Sequence, residues 1–206
     1  SFAIGAGVRY GFSDQRIHPT MNLNYRYHPL GQARISFSFG SQVLQFNQRE
    51  PIRPFINTIY SLSAAKNYMK VYRQQFLRVE HASEIMDGMR LDVSAGYYVR
   101  YPEENTTSFT WAKSAGDYTI NSPVLANGDT VSVSRNTALV FGAKVSYTIG
   151  QRYASYPDAR YAQGSKWPTI IVDYKKAIRL DGQSANFDFL QLHVRDEMEL
   201  GLIGRF

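Results

Sequence analysis

The sequence predicts an all-β fold, an antiparallel transmembrane β-barrel with about eight strands in this piece and one short loop helix. Three observations favour this class. Long stretches alternate apolar residues with polar or small ones at a period of two, which is typical of strands with two unlike faces. The stretches are about ten residues long, the length that a tilted strand needs to cross the hydrocarbon layer of a bilayer. Aromatic residues make up 14% of the 206 residues, and Tyr and Trp suit both strands and bilayer interfaces.

The first stretch, Ser1 to Phe12, shows the plan that the later strands repeat. One of its faces is apolar and the other carries small residues and one arginine, so we expect the strand to separate two unlike environments. The apolar residues are Phe2, Ile4, Ala6, Val8, Tyr10 and Phe12, and the others are Ala3, Gly5, Gly7, Arg9 and Gly11.

Two more strands are predicted before residue 47. A turn at Ser13 to Thr20 precedes the second strand, Met21 to His28, in which Asn and Arg alternate with Met, Leu and Tyr. The reversal His28-Pro29-Leu30-Gly31 leads into the third strand, which begins at Ala33 and continues to about Phe46.

The spacing of apolar residues then changes and predicts a helix over Pro51 to about Tyr68. Apolar residues recur there every three or four positions, as on one face of a helix. Such a stripe must be buried against something, so the helix either narrows the lumen, lies at the rim against lipid headgroups, docks a partner, or is a loop without a role of its own. The stripe consists of Ile52, Phe55, Ile56, Ile59, Leu62 and Ala65.

Five strands are predicted after the helix. The fourth, about Met69 to Ile85, is anchored by Leu77 and Val79, and the dipeptide Asp87-Gly88 predicts a tight hairpin after it. The other four alternate more cleanly, and Asp181-Gly182 predicts the turn before the last. They are Arg90 to Tyr101, Leu139 to Ile149, Ile170 to Lys175 and Leu190 to Leu202.

Two long connections separate these strands. The first, Pro102 to Asn136, is polar, whereas the sequence leaves open whether Gly150 to Pro168 is a loop or an extension of the neighbouring strands. If the strands alternate strictly, the helix and the first connection lie at one rim of the barrel. The turns at His28 and Asp87 then lie at the other rim, as in membrane barrels with one rim of long loops.

Composition limits the classes of function. The absence of Cys excludes disulfides, a thiol nucleophile and thiolate metal sites, and the net charge of +6 is spread over the strands, so no nucleic-acid partner is expected. No run of about 18 apolar residues predicts a transmembrane helix. We expect one domain, residues 1–206, with the helical loop near 51–68 and the long loop near 102–136. Since the first strand begins at residue 2 and the last runs to the end, we also expect an excerpt of a longer chain, part of a larger barrel.

The same alternation fits a soluble barrel with its apolar face inward, but the polar faces favour a membrane barrel. Most strands carry charges on that face, often of both signs, as suits a hydrated lumen. The residues predicted to face the lumen are Arg9, Arg26, Arg34, Arg90, Asp92, Arg100, Lys144, Asp173, Lys175, His193, Arg195, Glu197 and Glu199.

The opposite face is almost free of charge along the middle of each strand. Lys176 and Asp196 are the exceptions, and a charge on a lipid face costs about 2–4 kcal/mol at the middle of a bilayer. The residues predicted to face lipid are Phe2, Ile4, Val8, Phe37, Phe39, Val93, Tyr97, Phe141, Val145, Val172 and Leu192.

No catalytic, cofactor or metal site is expected from the sequence. The four histidines are scattered, and none has the spacing of a metal ligand. His193 shares a strand face with Glu197 and Glu199, but side chains four residues apart on a strand are about 13 Å apart. No phosphate-binding loop or nucleophile motif is present.

Two segments resemble a large family of outer-membrane proteins of Bacteroidota. They are the run from Pro51 through Asn57-Thr58-Ile59-Tyr60 and Leu62 to Lys66-Asn67-Tyr68-Met69-Lys70-Val71-Tyr72, and Arg100 to Thr107. The resemblance covers much of residues 32–206 and implies a barrel of unknown function that follows a carboxypeptidase-regulatory-like domain and has more strands than this chain. Such barrels look distantly similar to the barrel-assembly and translocation class.

Three functions are compatible with these features of the sequence. The first is a non-enzymatic outer-membrane barrel that takes part in outer-membrane biogenesis or transport within a larger envelope assembly. The second is a passive pore or ligand-binding barrel, and the third is an outer-membrane barrel enzyme. For the first we expect the bacterial outer membrane as location, the lipid bilayer and other outer-membrane or envelope proteins as partners, and no cofactor.

Overall fold

A computed structural model of the chain consists mostly of antiparallel β-strands. It describes residues 1–12, 14–28, 30–47, 52–106, 109–111, 118–124, 128–157, 160–181 and 186–196. The strands are β1 (Phe2–Gly11), β2 (Arg16–His28), β3 (Ala33–Gln45), β4 (Val71–Met86), β5 (Met89–Pro102), β6 (Asn136–Thr148), β7 (Arg152–Ser155), β8 (Arg160–Gly164), β9 (Thr169–Arg179) and β10 (Phe187–Arg195), and the helix α1 is Pro54–Ala64.

Eight of the strands form one sheet in the order β1-β2-β3-β4-β5-β6-β9-β10, and each pairs antiparallel with the next. The all-β class, the eight sheet strands and the single loop helix are thus confirmed. Within the described residues β1 and β10 are not paired with each other, so the sheet is open and is not closed into a barrel. No described helix is long and apolar enough to span a bilayer.

The predicted hairpin at Asp87-Gly88 joins β4 and β5. Gly88 has φ +76°, a conformation that glycine adopts without steric cost. A Cβ atom at this position would lie 2.3 Å from the carbonyl oxygen of Thr148, whose N–H donates to the Gly88 carbonyl at 2.8 Å. Only glycine therefore fits this turn without a shift of β6.

The stretch between β6 and β9 is a separate hairpin, β7–β8, rather than an extension of either strand. It packs against the β4–β5 turn. Arg160 binds Asp87 at 2.7 Å and lies over the ring of Tyr153 at 3.7 Å, and the Gly88 N–H donates to the Tyr153 hydroxyl at 2.9 Å. These contacts explain why a long connection occurs at the rim of short turns.

Helix α1 is shorter than the predicted helix. Proline at its first position has the φ that a helix start requires, and the helix ends where Ala65 adopts the left-handed conformation with φ 52°. The N–H of Ala65 donates to the carbonyl of Ser61, and that of Lys66 to Tyr60, which satisfies the last helical carbonyls. The predicted start at Pro51 lies outside the described residues.

The sheet has no second layer. In the described residues the backbones of two elements come close together only where strands are paired, and no side chain is fully buried. The accessible surface is 14543 Å², whereas a compact monomer of 23.5 kDa exposes about 9,800 Å². Both faces of the sheet are therefore open, and neither forms a packed core.

Candidate functional site

The register brings the charged residues of separate strands into one row. Arg34 of β3 faces Ala82 of β4, which faces Asp92 of β5. Asp92 faces Lys144 of β6, and Lys144 faces Asp173 of β9. Because paired residues share a face, this row defines the charged face of the sheet.

The acidic groups of the charged face are paired along the strands. Side chains two residues apart on a strand share a face about 7 Å apart, within reach of Arg and Lys. Arg90 Nε binds Asp92 at 3.1 Å and Lys175 Nζ binds Asp173 at 3.4 Å, and β4 repeats the arrangement with Arg78 and Glu80. Arg34 and Lys144 have no ionic partner among the described residues, so positive charge is in excess.

These side chains line a cavity of about 560 Å³ on the charged face, here called the charged groove. Its walls carry five basic and three acidic groups, and Ser94, Gly142 and Ser146 leave space between them. The charged groups are Arg34, Arg78, Glu80, Arg90, Asp92, Lys144, Asp173 and Lys175.

The other sheet face is apolar and exposed. In one row Phe37 faces Val79, Val79 faces Ala95, and Ala95 faces Phe141. The Phe141 side chain is 44% exposed and that of Val93 is 37% exposed. These residues do not form a dry core within the described part of the chain.

Side chains are more crowded on the charged face than in the middle of the apolar face. The exposed fraction of alanine residues shows this, because their side chains are all the same size. Ala82, Ala138 and Ala177 lie on the charged face and are 3–4% exposed. In the middle of the apolar face Ala95 is exposed and Ala143 is half-buried, and Ala33 is buried there only at the end of β3, beside an irregularity in its pairing with β2. Side chains crowd on the concave side of a bent sheet and spread apart on the convex side. The comparison therefore indicates a sheet that bends around its charged face.

The register brings together six of the residues predicted to face the lumen, in the charged groove: Arg34, Arg90, Asp92, Lys144, Asp173 and Lys175. The other described members lie elsewhere on the same face. Arg9 faces His18, Arg26 faces Arg34, Arg100 donates to Gln74 at 3.3 Å, and His193 and Arg195 line a neighbouring cavity of about 600 Å³. Glu197 and Glu199 lie outside the described residues.

The residues predicted to face lipid all share the apolar face through the register. Whether that face meets lipid stays a prediction. From β1 to β10 they are Phe2, Ile4, Val8, Phe37, Phe39, Val93, Tyr97, Phe141, Val145, Val172 and Leu192.

One ion pair interrupts the apolar face. Lys176 binds Asp188 at 3.1 Å, and the Tyr174 hydroxyl donates to Asp188 at 2.5 Å. Sequence reasoning noted Lys176 but not its partner, because the pairing depends on the β9–β10 register. The pair lies near the strand ends that carry the long loops, where a charge costs less than at the middle of an apolar band.

Polar side chains join α1 to the long loop after β5. The Asn57 side-chain oxygen accepts from the N–H groups of Tyr68 and Met69 at 2.9 and 2.8 Å, and the Asn67 side chain donates to Asn105 at 3.0 Å. Thr119 accepts from the Lys70 ammonium at 3.1 Å. Burial lowers the pKa of Lys70. We call residues 54–70 with 103–106, 109–111 and 118–121 the rim cap.

A cluster of arginines lies beneath the rim cap. Glu103 Oε1 accepts from Arg73 Nε at 2.9 Å and from Arg16 Nη1 at 3.2 Å. The Arg73 guanidinium lies 4.2 Å from the ring centroid of Tyr101, and that of Arg135 lies 5.3 Å from it. Sequence reasoning missed this cluster because its members come from four separate segments. In the sequence, basic residues that stand beside aromatic residues at the ends of strands were the one indication of this cluster.

The histidines are separate in space as well as in sequence. His18 bridges Asp14 at 2.7 Å and Ser41 at 3.1 Å, and His81 binds the Tyr27 hydroxyl at 2.6 Å. The described residues include no group of three or more His, Asp or Glu side chains that could hold a metal ion.

A family model described as the C-terminal domain of a family of unknown function (DUF5686) matches residues 1–206. No curated protein and no solved structure matches the chain. The family match spans the open sheet, the charged groove and the rim cap together. The chain therefore belongs to the DUF5686 family of unknown function, as its C-terminal domain.

Proposed function

We propose that the chain is part of the wall of a non-enzymatic outer-membrane β-barrel, with its apolar face against lipid and its charged face toward a water-filled interior. The barrel takes part in envelope biogenesis or transport beside other outer-membrane proteins. The observation that carries the proposal is the difference between the faces. Large apolar side chains are exposed on one, while small side chains are buried among ionic ones on the other.

The height of the apolar band supports this placement. On β5 the band runs from Met89 to Val99 in six alternate residues. Ten steps of about 3.4 Å at a tilt of about 40° correspond to about 26 Å, close to the outward apolar band of membrane barrels.

The unpaired edges of the sheet have to be covered if the sheet lies in a membrane. Backbone N–H and C=O groups that face hydrocarbon without a partner cost several kcal/mol each, so a membrane sheet has to close. Within the described residues β1 and β10 each have one unpaired edge. Further strands, from the same protein or a partner, therefore complete the barrel.

The resemblance to outer-membrane proteins of Bacteroidota supports the same location and implies a preceding carboxypeptidase-regulatory-like domain. The rim cap supports contact with other envelope proteins, because its large apolar side chains are exposed. Phe55 is 73% exposed and Trp111 is 67% exposed, and aromatic side chains are enriched at protein interfaces.

Cysteine labelling of adjacent residues tests the placement. This chain has no Cys, so Val93→Cys and Ser94→Cys each introduce one thiol into it. In the full-length protein reconstituted in vesicles, we expect a membrane-impermeant maleimide to label position 94 but not position 93. Lys144→Cys and Val145→Cys are a second pair with the same expectation. Labelling of positions 93 and 145 alone would contradict the proposal.

Isolation of the intact protein from native membranes in mild detergent tests the role in an assembly. We expect other envelope proteins to remain bound, and Phe55→Ser with Trp111→Ser to weaken their retention if the rim cap is the contact. A clean monomer at every detergent concentration would contradict this part of the proposal.

The charged groove favours a second candidate, a passive pore or ligand-binding barrel that prefers anions. Arg34 and Lys144 leave an excess of positive charge on the wall, and rings of basic side chains select anions in pores. Reversal potentials in a planar bilayer under a KCl gradient test it. We expect chloride preference that falls in Arg34→Gln and Lys144→Gln, whereas an absence of conductance would argue for the first candidate.

A further inference from the structure

A groove of about 420 Å³ lies on the apolar face beneath the rim cap. We call it the rim groove. Its lower part is apolar, lined by Phe39, Leu77, Tyr97 and Val99, and its upper part carries Arg73. Arg16 also lines the upper part: alternation on β2 assigns it to the charged face, but from the end of the strand its side chain reaches Glu103. Leu77 is four residues below Arg73 on β4, which corresponds to about 13 Å along the strand.

Glu103 holds the two arginines in place without neutralising them. Both donate to the same carboxylate oxygen, so two positive charges face one negative charge, and Arg135 over the Tyr101 ring adds a third positive charge nearby. Only one N–H of each of Arg16 and Arg73 is used in hydrogen bonds among the described residues. The Arg16 side chain is 52% exposed and that of Arg73 is 17% exposed, so an anion would reach Arg16 from water and Arg73 from within the groove.

The arginines also lie at the height of lipid headgroups if the sheet spans a bilayer. The middle of the β5 band is Ser94, which faces Glu80 on β4. Arg73 is seven residues above Glu80, or about 18 Å from the middle of the band at a tilt of about 40°. The band ends about 13 Å from its middle, so Arg73 lies about 5 Å beyond the hydrocarbon.

We propose that the rim groove binds one anionic lipid, with its headgroup phosphate on Arg16 and Arg73 and an acyl chain along Leu77 and Tyr97. Arginine suits this role because its planar guanidinium donates two parallel hydrogen bonds to phosphate oxygens. The inference rests on the proposed membrane placement. It adds a ligand class and a site that the placement alone does not require.

Native mass spectrometry of the full-length protein in detergent tests the inference, with phosphatidylglycerol as the probe and diacylglycerol as the uncharged comparison. We expect phosphatidylglycerol to be retained and Arg73→Gln to weaken its binding about tenfold, as for loss of one charge-assisted hydrogen-bonded group. Arg73→Lys keeps the charge and is expected to retain more binding than Arg73→Gln. Arg152→Gln, which removes an exposed charge at the opposite rim, is expected to leave binding unchanged.

Three outcomes would overturn the site. They are equal retention of the two lipids, unchanged binding in the Arg16→Gln and Arg73→Gln double variant, and displacement of the lipid by an equal concentration of inorganic phosphate, which would indicate a site for the free ion. The cysteine-labelling experiment is separate from these. If Ser94→Cys is labelled from water and Val93→Cys is not, failure of lipid binding overturns the rim groove and leaves the membrane placement standing.

Discussion

Arginine placed on adjacent residues of β5 should have opposite consequences for stability. Val93 lies in the middle of the apolar band, where it faces His81 and Ala143, and its side chain is 37% exposed. An arginine at the midplane of a membrane barrel costs about 2–4 kcal/mol when it faces lipid. Ser94 points to the other face and lines the 560 Å³ charged groove.

An arginine at position 94 has space and a carboxylate opposite it. Ser94 faces Glu80 in the register, and a half-exposed ion pair changes stability by about 0–1 kcal/mol. We therefore expect Val93→Arg to be less stable than Ser94→Arg by at least about 2 kcal/mol, a factor of about 30 in the folding equilibrium. Met86→Arg should cost only about 0–1 kcal/mol, because Met86 faces Met89 at the lower end of the band and its side chain is 58% exposed.

Urea titration of the full-length protein in phosphatidylcholine vesicles, followed by tryptophan fluorescence, measures these differences. Heat-modified mobility on gels verifies that each variant has folded before the titration. If Ser94→Arg is the more destabilised variant, the charged face is the dry one, and the assignment of both faces is wrong. Equal costs at positions 93 and 86 would show that depth in a bilayer does not determine the penalty.

Three further predictions concern the turns and the rim cap. Gly88→Ala should destabilise the protein by more than about 2 kcal/mol in urea, because a positive φ and a backbone clash add; Gly164→Ala, with φ +88° and open space around it, isolates the cost of φ. Burial raises the pKa of Asp14, but hydrogen bonds from His18 and from a backbone N–H together outweigh it, so the pKa is lowered. Its stabilisation is therefore complete above the ordinary carboxyl value of 3.8 and is lost as pH falls through the lowered value, which amide hydrogen exchange at the β1–β2 turn measures. Asn57→Ala should cost about 1–3 kcal/mol, since two backbone N–H groups lose their acceptor, and protease digestion should then cut the rim cap faster.

Each of these predictions has a clear contrary result. Equal stability of Gly88→Ala and Gly164→Ala would mean that the carbonyl of Thr148 moves away from the new Cβ atom without a cost in stability. Protection factors at the β1–β2 turn that do not fall as the pH is lowered from 5 to well below 3.8 would show that Asp14 does not hold the turn. If the protease cuts Asn57→Ala at the same rate as the unchanged protein, the other hydrogen bonds of the rim cap are sufficient to keep it ordered.

Strands with strict alternation could be predicted from the sequence, and those without it could not. On β5 and β6 every second residue belongs to one face, so a single chain pattern determines both strand and face. β7 and β8 have no such pattern. The two strands pair with each other, and Tyr153 and Arg160 contact the β4–β5 turn, which depends on chain folding rather than on local sequence.

Some contacts of the candidate sites could likewise be predicted from the sequence, and others could not. Arg90 with Asp92 is visible in the sequence, because the two residues are two positions apart on one strand. Arg16, Arg73 and Glu103 are not, since they are separated by 30 to 87 residues and meet only when β2, β4 and the end of β5 are in register. The pattern therefore predicts which face a side chain takes, whereas the register determines which side chains meet.

Bending of the sheet bears on the choice between a membrane barrel and a soluble one. A soluble barrel encloses its apolar face, so its sheet would crowd residues such as Ala95 and spread those such as Ala82 apart. The observed crowding is the reverse. A sheet that continues this bend to closure encloses the charged face, and the charges of that face retain favourable energies only if water remains with them. This direction of bending is the one that the proposed membrane barrel requires, with a wet interior and with the exposed face that includes Phe141 on the outside.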